Sequence, residues 1–317
     1  MIAVRAPLRL SLGGGGTDLP SFFADEEGFV LSAAIDKHVW LLISTGFREG
    51  LRLKHLAWEE VEDAGEVEHP ILRAALAEHW NGIPFELASI ADVPAGTGLG
   101  SSGAYAVCAV RALAGLEGIE LAEAACRLEI DLLGRTVGKQ DQYAAVYGGV
   151  NALTFRPGSV EVRRLALPEA SAEALRERFL LFYTGGSRSA SEVLSDQVNR
   201  TLAGDAEVRD NLLRTASLAR ETCAALEAGD LAACGELMNR SWENKRARSA
   251  AMVPAPLADL RDLALRRGGS GAMLMGAGGG GFLLVLAEEP TRLREAMDEA
   301  GAPELPFGID TEGCVAL

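Results

Sequence analysis

Residues 94–102 read PAGTGLGSS and run directly into the apolar segment GAYAVCAVRALAG. The preceding FELASIADV has strand character, so three glycines and two serines stand between a strand and a helix. Glycine reaches backbone torsions closed to other residues, which lets successive N–H groups converge on an anion. The helix that follows, predicted over roughly 102–115, adds its unpaired N-terminal N–H groups and the positive end of its dipole. Ser101 and Ser102 are natural N-caps, and their hydroxyls could also hold a phosphate oxygen or a metal. The chemistry this pattern suits is phosphate binding, with a plain capped turn as the alternative. The loop is not a P-loop, because the Lys-Ser/Thr ending is absent, and its GTGLG spacing departs from GxGxxG.

Two further glycine clusters flank it in sequence. LGGGGTD contains Gly15, Gly16, Thr17 and Asp18, and a carboxylate after a glycine turn could bond sugar hydroxyls; Asx-type capping explains it equally well. MGAGGGGFLLVL places its glycines before a strand instead of after one, the reverse of a dinucleotide-binding start. Those glycines permit close backbone approach to a ligand or to a neighbouring strand, and a tight hairpin would need them too.

The rest of the chain must position these loops. The opening residues alternate as a strand that ends at GGGG, and VLSAAIDKHVWLLIST reads as one or two more strands. LAEAACRLEIDLLG has helical periodicity and ends at Gly134, and YGGVNALTFRPGSVEVRRL reads as a hairpin turning at Pro157-Gly158. After the strand RFLLFYTGG come two long helices, over about 189–201 and 205–228, then a third through SWENKRARS and a mixed helix and strand ending. The pattern is α+β, with a change of character near 168–178.

The composition narrows the partners. The 317 residues are 48% apolar and carry a net charge of −15, which suits a globular protein of two fused domains and argues against a nucleic-acid partner. Five widely spaced cysteines without a CxxC pair fit reduced thiols, and Cys108 and Cys126 fall in apolar helical patterns as core fillers. Four unclustered histidines make a histidine metal site unexpected. With no leader-like segment and no long apolar run, the expectation is a soluble cytoplasmic protein with no membrane partner, as monomer or homodimer.

APLRLSLGGGGTD, PAGTGLGSSGAYAVCAV and GAGGGGFLLVL, in this order, resemble the three signature motifs of the GHMP kinases, and the likeness spans essentially the whole chain. The stretches AAIDKHVW, GKQDQYAAVYGG and FYTGGSRSAS narrow the resemblance to the bacterial D-glycero-D-manno-heptose 7-phosphate kinase branch, near the fucokinase-type and galactokinase-type sugar kinases. The resemblance implies a two-domain fold: a ribosomal-protein-S5-domain-2-like domain over 1–172 that binds ATP, and a ferredoxin-like domain over 173–317.

It also implies roles. Pro94, Gly96, Gly98, Leu99, Gly100, Ser101 and Ser102 would wrap the ATP phosphates, one serine facing Mg2+, with Gly276 and Gly278, Gly279, Gly280 and Gly281 closing over them. Gly103 stands where relatives often carry alanine and could leave room for ligand. Asp141 matches the catalytic aspartate, and capping of the helix DQYAAVYG is its other reading. Arg9 matches the cation near that aspartate, which would favour its carboxylate and stabilise the transferring phosphoryl group. Glu129 is favoured as the Mg2+ ligand, with Glu123 and Asp131 as alternatives. Gly15, Gly16, Thr17 and Asp18 would meet the sugar, and Arg188 with Lys245 or Arg246 would hold a distal phosphate.

The activity implied is transfer of the γ-phosphoryl group of MgATP to the anomeric hydroxyl of a sugar phosphate, giving the 1,7-bisphosphate in the heptose branch. The rivals are another small-molecule kinase of the same family, acting on fucose, galactose or mevalonate, and a silent sugar- and ATP-binding sensor. A nicotinamide oxidoreductase would need a strand followed by GxGxxG, which the chain lacks.

Overall fold

β1 (Ile2–Gly13) is buried along nearly its whole length from Ala6 onward, so both of its faces are covered, and it pairs antiparallel with β2 (Gly28–Thr45). The computed structural model describes residues 1–45, 49–55, 57–186, 190–248 and 252–317, and of 190–193 the backbone only. Between these strands lies the short α1 (Pro20–Phe23). There follow β3 (Leu51–Lys54), β4 (Trp58–Val61), α2 (Pro70–His79), β5 (Phe85–Ala91), α3 (Ser101–Ala114), α4 (Gly118–Arg127) and α5 (Gln140–Tyr147). Next come β6 (Val150–Arg156), β7 (Ser159–Arg164), α6 (Glu169–Glu177) and β8 (Phe179–Tyr183). The remainder is α7 (Ala190–Leu202), α8 (Ala206–Ala228), α9 (Leu231–Arg248), α10 (Ala255–Arg266), β9 (Gly269–Leu274), β10 (Phe282–Ala287), α11 (Pro290–Glu299) and β11 (Val315–Ala316).

β2 is a single strand of 18 residues, and its length has a use. Its first part pairs with β6 and its later part with β5, so one strand joins two branches of an eight-stranded sheet. β6 and β7 form the expected hairpin, with Arg156 opposite Ser159 and Gly158 in the left-handed region. α3 and α5 pack on β1 on one side, and α8 packs on β1 and β2 with Ala219 against Gly13. Leu8, Leu10, Leu31 and Leu41 join Val107 and Cys108 of α3 in the main core, which also takes in Cys126, Leu218 and Leu226.

The second sheet has the order β8-β10-β9, all antiparallel, and a bridge from Phe182 to Glu304 lays a fourth segment outside β8. The resulting 4-1-3-2 order, with helices in both crossovers, is the ferredoxin-like arrangement. The chain then returns: Ile309 bridges Ile35, and β11 pairs with β1. His38 Nε2 lies 2.9 Å from Asp310 Oδ2 and Arg5 Nη1 3.3 Å from the same oxygen, pinning this return. Residues 309–317, on the C-terminal side of the division expected at 172/173, thus lie physically on the first sheet. Among the described residues no helix is long and apolar enough to cross a membrane.

Candidate active site

The loop between β5 and α3 uses its glycines as the sequence suggests: Gly96, Gly98 and Gly100 have φ of 79°, 86° and 80°, a region costly for any side chain. The cap differs from expectation. Gly100 in the left-handed conformation is the N-cap of α3, so Ser101 and Ser102 occupy the first two helical positions and cap nothing. Their hydroxyls are therefore left for other partners, and that of Ser102 donates to Glu129. Pro94 and Leu99 shape the loop from behind. The Pro94 carbonyl accepts from Thr97 Oγ1 at 2.9 Å, while the buried Leu99 accepts from the Arg9 amide at 2.9 Å.

The second glycine cluster packs on this loop backbone to backbone. A Cβ on Gly276 would fall 2.6 Å from Gly98 Cα, one on Gly281 would collide with the Thr97 carbonyl, and one on Gly278 would sit 2.5 Å from the Met252 carbonyl. Close approach is thus to the other loop rather than to a strand. The Gly279 amide is committed to the Met252 carbonyl at 2.9 Å, and it is Gly276, Gly278 and Gly280 that face the cleft.

Asp141 stands at the second position of α5, whose N-cap is Lys139, so it does not cap this helix. Arg9 donates to Asp141 Oδ1 from Nε at 2.8 Å and lies 2.6 Å from it through Nη2, while Nη1 donates to the Gly98 carbonyl at 2.6 Å. One guanidinium therefore ties the aspartate to the glycine loop, and Oδ2 has no hydrogen-bond partner among the described residues. The space beside Gly103 is filled by protein: a Cβ there would lie 2.6 Å from Asp141 Cβ.

The three carboxylates proposed for metal separate cleanly. α4 ends at Arg127 and the chain continues as a π-turn over Leu128–Leu132, not as the uninterrupted helix to Gly134 that periodicity suggested. The wider turn carries Glu129 inward, 1% exposed, and leaves Asp131 on the surface. Glu123 is occupied by Lys139 Nζ at 2.6 Å and by the Tyr143 hydroxyl. Burial raises the Glu129 carboxyl, an effect opposed by the Ser102 hydroxyl, by Arg135 Nη1 at 3.1 Å and by Gln142 Nε2 at 2.7 Å. Arg135 also lines the cleft beside the glycine loop, and sequence reasoning missed it. The available signal was its place six residues from both Glu129 and Asp141.

On the other side of Asp141, the turn after β1 builds a second cleft. Gly15 and Gly16 line it, as does Asp18, whose Oδ1 accepts from the Gly16 amide at 2.9 Å and whose Oδ2 accepts from the Gln140 amide and side chain, both at 3.1 Å. Burial, with Asp141 nearby, raises the Asp18 carboxyl. Thr17 departs from its expected role at the substrate surface: it is 0% exposed, and its hydroxyl bonds the carbonyls of Gly14 and Phe29, fixing the turn. Lys245 reaches this cleft from α9, whereas Arg246 points outward beside Glu243. Arg248, one turn beyond Lys245, lines the cleft as well and was not among the residues singled out in the sequence. Arg188 lies outside the described residues.

The two clefts, about 960 Å³ beside the glycine loop and about 550 Å³ beside Gly15 and Gly16, share Arg9, Val137, Asp141, Gly276 and Ala277 as their common wall. A glycine-lined cleft abutting a second pocket through an Asp–Arg pair is a layout that transfer of a phosphoryl group between two small molecules can use. The profile of the GHMP kinases N terminal domain matches residues 69–149, and that of the GHMP kinases C terminal matches residues 223–303. The chain belongs to the GHMP kinases, which are ATP-dependent phosphotransferases.

Among its relatives, the D-glycero-alpha-D-manno-heptose 7-phosphate kinase of Campylobacter jejuni is 27% identical over 311 residues, covering 92% of this chain and 90% of that protein. The bifunctional fucokinase/GDP-fucose pyrophosphorylase of Arabidopsis thaliana is 28% identical over 92% of this chain but only 30% of its own length. A solved D-glycero-D-manno-heptose 1-phosphate kinase from Bacteroides thetaiotaomicron shares the fold, with a TM-score of 0.78, 22% identity, and coverage of 100% of this chain and 99% of the other.

Proposed function

We propose that the protein is a sugar kinase that phosphorylates the anomeric hydroxyl of D-glycero-D-manno-heptose 7-phosphate to the 1,7-bisphosphate. The observation that carries the kinase chemistry is the meeting of two clefts at Asp141 and Arg9. The choice of sugar rests on likeness to the Campylobacter enzyme over nine-tenths of both chains.

In this reading the amides of Gly96–Ser102 hold the triphosphate, with Gly276, Gly278 and Gly280 as the opposite lip. The acceptor lies against Gly15, Gly16 and Asp18. Asp141 Oδ2 takes the proton of the anomeric hydroxyl as its oxygen bonds to the γ-phosphorus; the bond from that phosphorus to the bridging oxygen breaks, and ADP leaves. Arg9 holds Asp141 through Oδ1 and sets the aspartate at the junction of the two clefts.

Glu129 and the hydroxyls of Ser101 and Ser102 supply hard oxygen donors that fit Mg2+. Bound there, Mg2+ would neutralise charge on the phosphate oxygens.

Incubation with MgATP and a panel of sugars and sugar phosphates, with products identified by mass and phosphorus NMR, tests the reading. Heptose 7-phosphate should be turned over fastest. Faster turnover of fucose or galactose would replace the substrate, and ATP and sugar binding without product would make the chain a sensor.

A further inference from the structure

We infer that Lys245 and Arg248 form a recognition site for a phosphate monoester on the acceptor, remote from the hydroxyl that is phosphorylated. The inference rests on the acceptor cleft lying where the proposed function puts it. It adds the chemical reason why that cleft should refuse a neutral sugar.

Lys245 and Arg248 sit one turn apart in the last turn of α9 and project to the same side. Both line the acceptor cleft and a further hollow of about 520 Å³ beneath residues 13–15, so the two cations lie between these spaces. Their partners are all neutral. Lys245 Nζ donates to the carbonyls of Gly276 at 2.6 Å and Leu274 at 3.0 Å. Arg248 donates from Nε to Asn211 Oδ1 at 2.8 Å, from Nη1 to Gln197 Oε1 at 3.0 Å and to the Gly15 carbonyl at 3.3 Å, and from Nη2 to Thr215 Oγ1 at 2.6 Å.

Neither cation has a carboxylate within ion-pair distance among the described residues. Arg248 is 7% exposed, and desolvation together with the nearby charges of Arg248 and Arg9 pushes the Lys245 ammonium down to about 7. Asp18 offers Arg248 an attractive charge only at longer range, and its own carboxyl is raised by burial. Enclosed like charges without a counter-ion are costly, and the cost falls once an anion arrives.

The two positive charges set the valence of that anion, and the donors left on them set how it is held. Among the described residues Lys245 uses two of its three N–H bonds and Arg248 four of its five, so each has one without a described partner. Two cations each with one donor to spare match a phosphate monoester, a dianion with three terminal oxygens. A neutral sugar would leave both charges uncompensated, the situation in which a polar site discriminates most strongly.

The test compares heptose 7-phosphate with the unphosphorylated heptose in the wild-type chain and in Lys245→Met, which spares the anchoring of Arg248 to Asn211 and Thr215. The ratio of kcat/KM between the two sugars should fall at least about tenfold in the variant, the scale of one lost charge-assisted hydrogen bond. Inorganic phosphate should compete with the sugar and not with ATP, and less well in Lys245→Met.

An unchanged ratio, phosphate competing only with ATP, or a sugar acid binding as well as the sugar phosphate would overturn the inference and leave the kinase reading standing. If no sugar is phosphorylated, the proposed function fails separately. Calorimetry of heptose 7-phosphate without nucleotide then still decides the subsite: binding lost in Lys245→Met supports it, and equal binding or none in both chains overturns it.

Discussion

Gly98 and Gly276 touch through their main chains: a Cβ on Gly276 would stand 2.6 Å from Gly98 Cα, and Gly276 has φ of 61°. The glycine loop between β5 and α3 is therefore braced by a loop of the ferredoxin-like sheet, and its shape depends on how the two sheets are held together. Gly276→Ala should lower stability by about 1–3 kcal/mol through backbone strain and overpacking and raise the KM for ATP. Thermal unfolding and nucleotide titration check this, and a variant with wild-type melting and affinity would show that the loops do not need each other.

Asp141→Asn keeps the size of the side chain and its bond from Arg9 but loses the proton acceptor. Turnover should drop by at least about a hundredfold, with ADP affinity nearly intact. Gly103→Ala should act in the same direction by displacing Asp141, whose Cβ would be 2.6 Å from the new methyl group. Steady-state kinetics beside ADP titration separates the two parameters, and full activity in Asp141→Asn would remove this residue from the chemistry.

Glu129 should govern the metal requirement. Its carboxyl is raised mainly by burial, so protons compete for it over a range above that of an ordinary glutamate. The Mg2+ concentration for half-maximal rate should therefore increase as pH falls. In Glu129→Gln it should be higher at every pH and should lose that slope. Arg135→Met, by removing a cation from the cleft lining, should raise the KM for ATP more than it lowers kcat. A metal requirement unaffected by Glu129→Gln would return Glu123 or Asp131 to consideration.

Lys245 should leave a signature in stability. Its ammonium is pushed from 10.5 down to about 7 by desolvation, with Arg248 and Arg9 adding repulsion and no described carboxylate paired with it. Between those values the unfolded chain binds the extra proton, so this group's contribution to stability rises with pH. Below about pH 7 its cost is fully present. The melting temperature of Lys245→Met should thus exceed that of the wild type most below pH 7, and the gap should close toward pH 10.5. A gap independent of pH would mean that the ammonium keeps its proton throughout.

Much of this molecule is legible in its sequence. The three glycine clusters, the hairpin at Pro157-Gly158 and the long helices at 190–202 and 206–228 are local events, set by torsions and periodicity that neighbouring residues decide. Less legible was whatever depends on one element meeting another. The π-turn that sends Glu129 inward and Asp131 outward has no marker in LEIDLL, because packing against α2 and α3 selects the face. The return of residues 309–317 to the first sheet rests on Asp310 finding His38 and Arg5.

The sequence alone determined that the loop at residues 96–100 could take left-handed torsions, since glycine stands at each position that needs them. It also determined that the chain would be a mixed helix and sheet protein, since apolar spacing sets each element. Tertiary structure decided which charges act together. Arg9 and Asp141 are 132 residues apart and meet only because α5 packs on β1. Lys245 and Arg248, ordinary cations on a helix in the sequence, become cleft charges with no carboxylate partner among the described residues because α9 lies across β9 and against the turn after β1. Conformational preference is a property of a few consecutive residues, whereas an electrostatic environment is a property of everything brought near, and only the folded chain sets that.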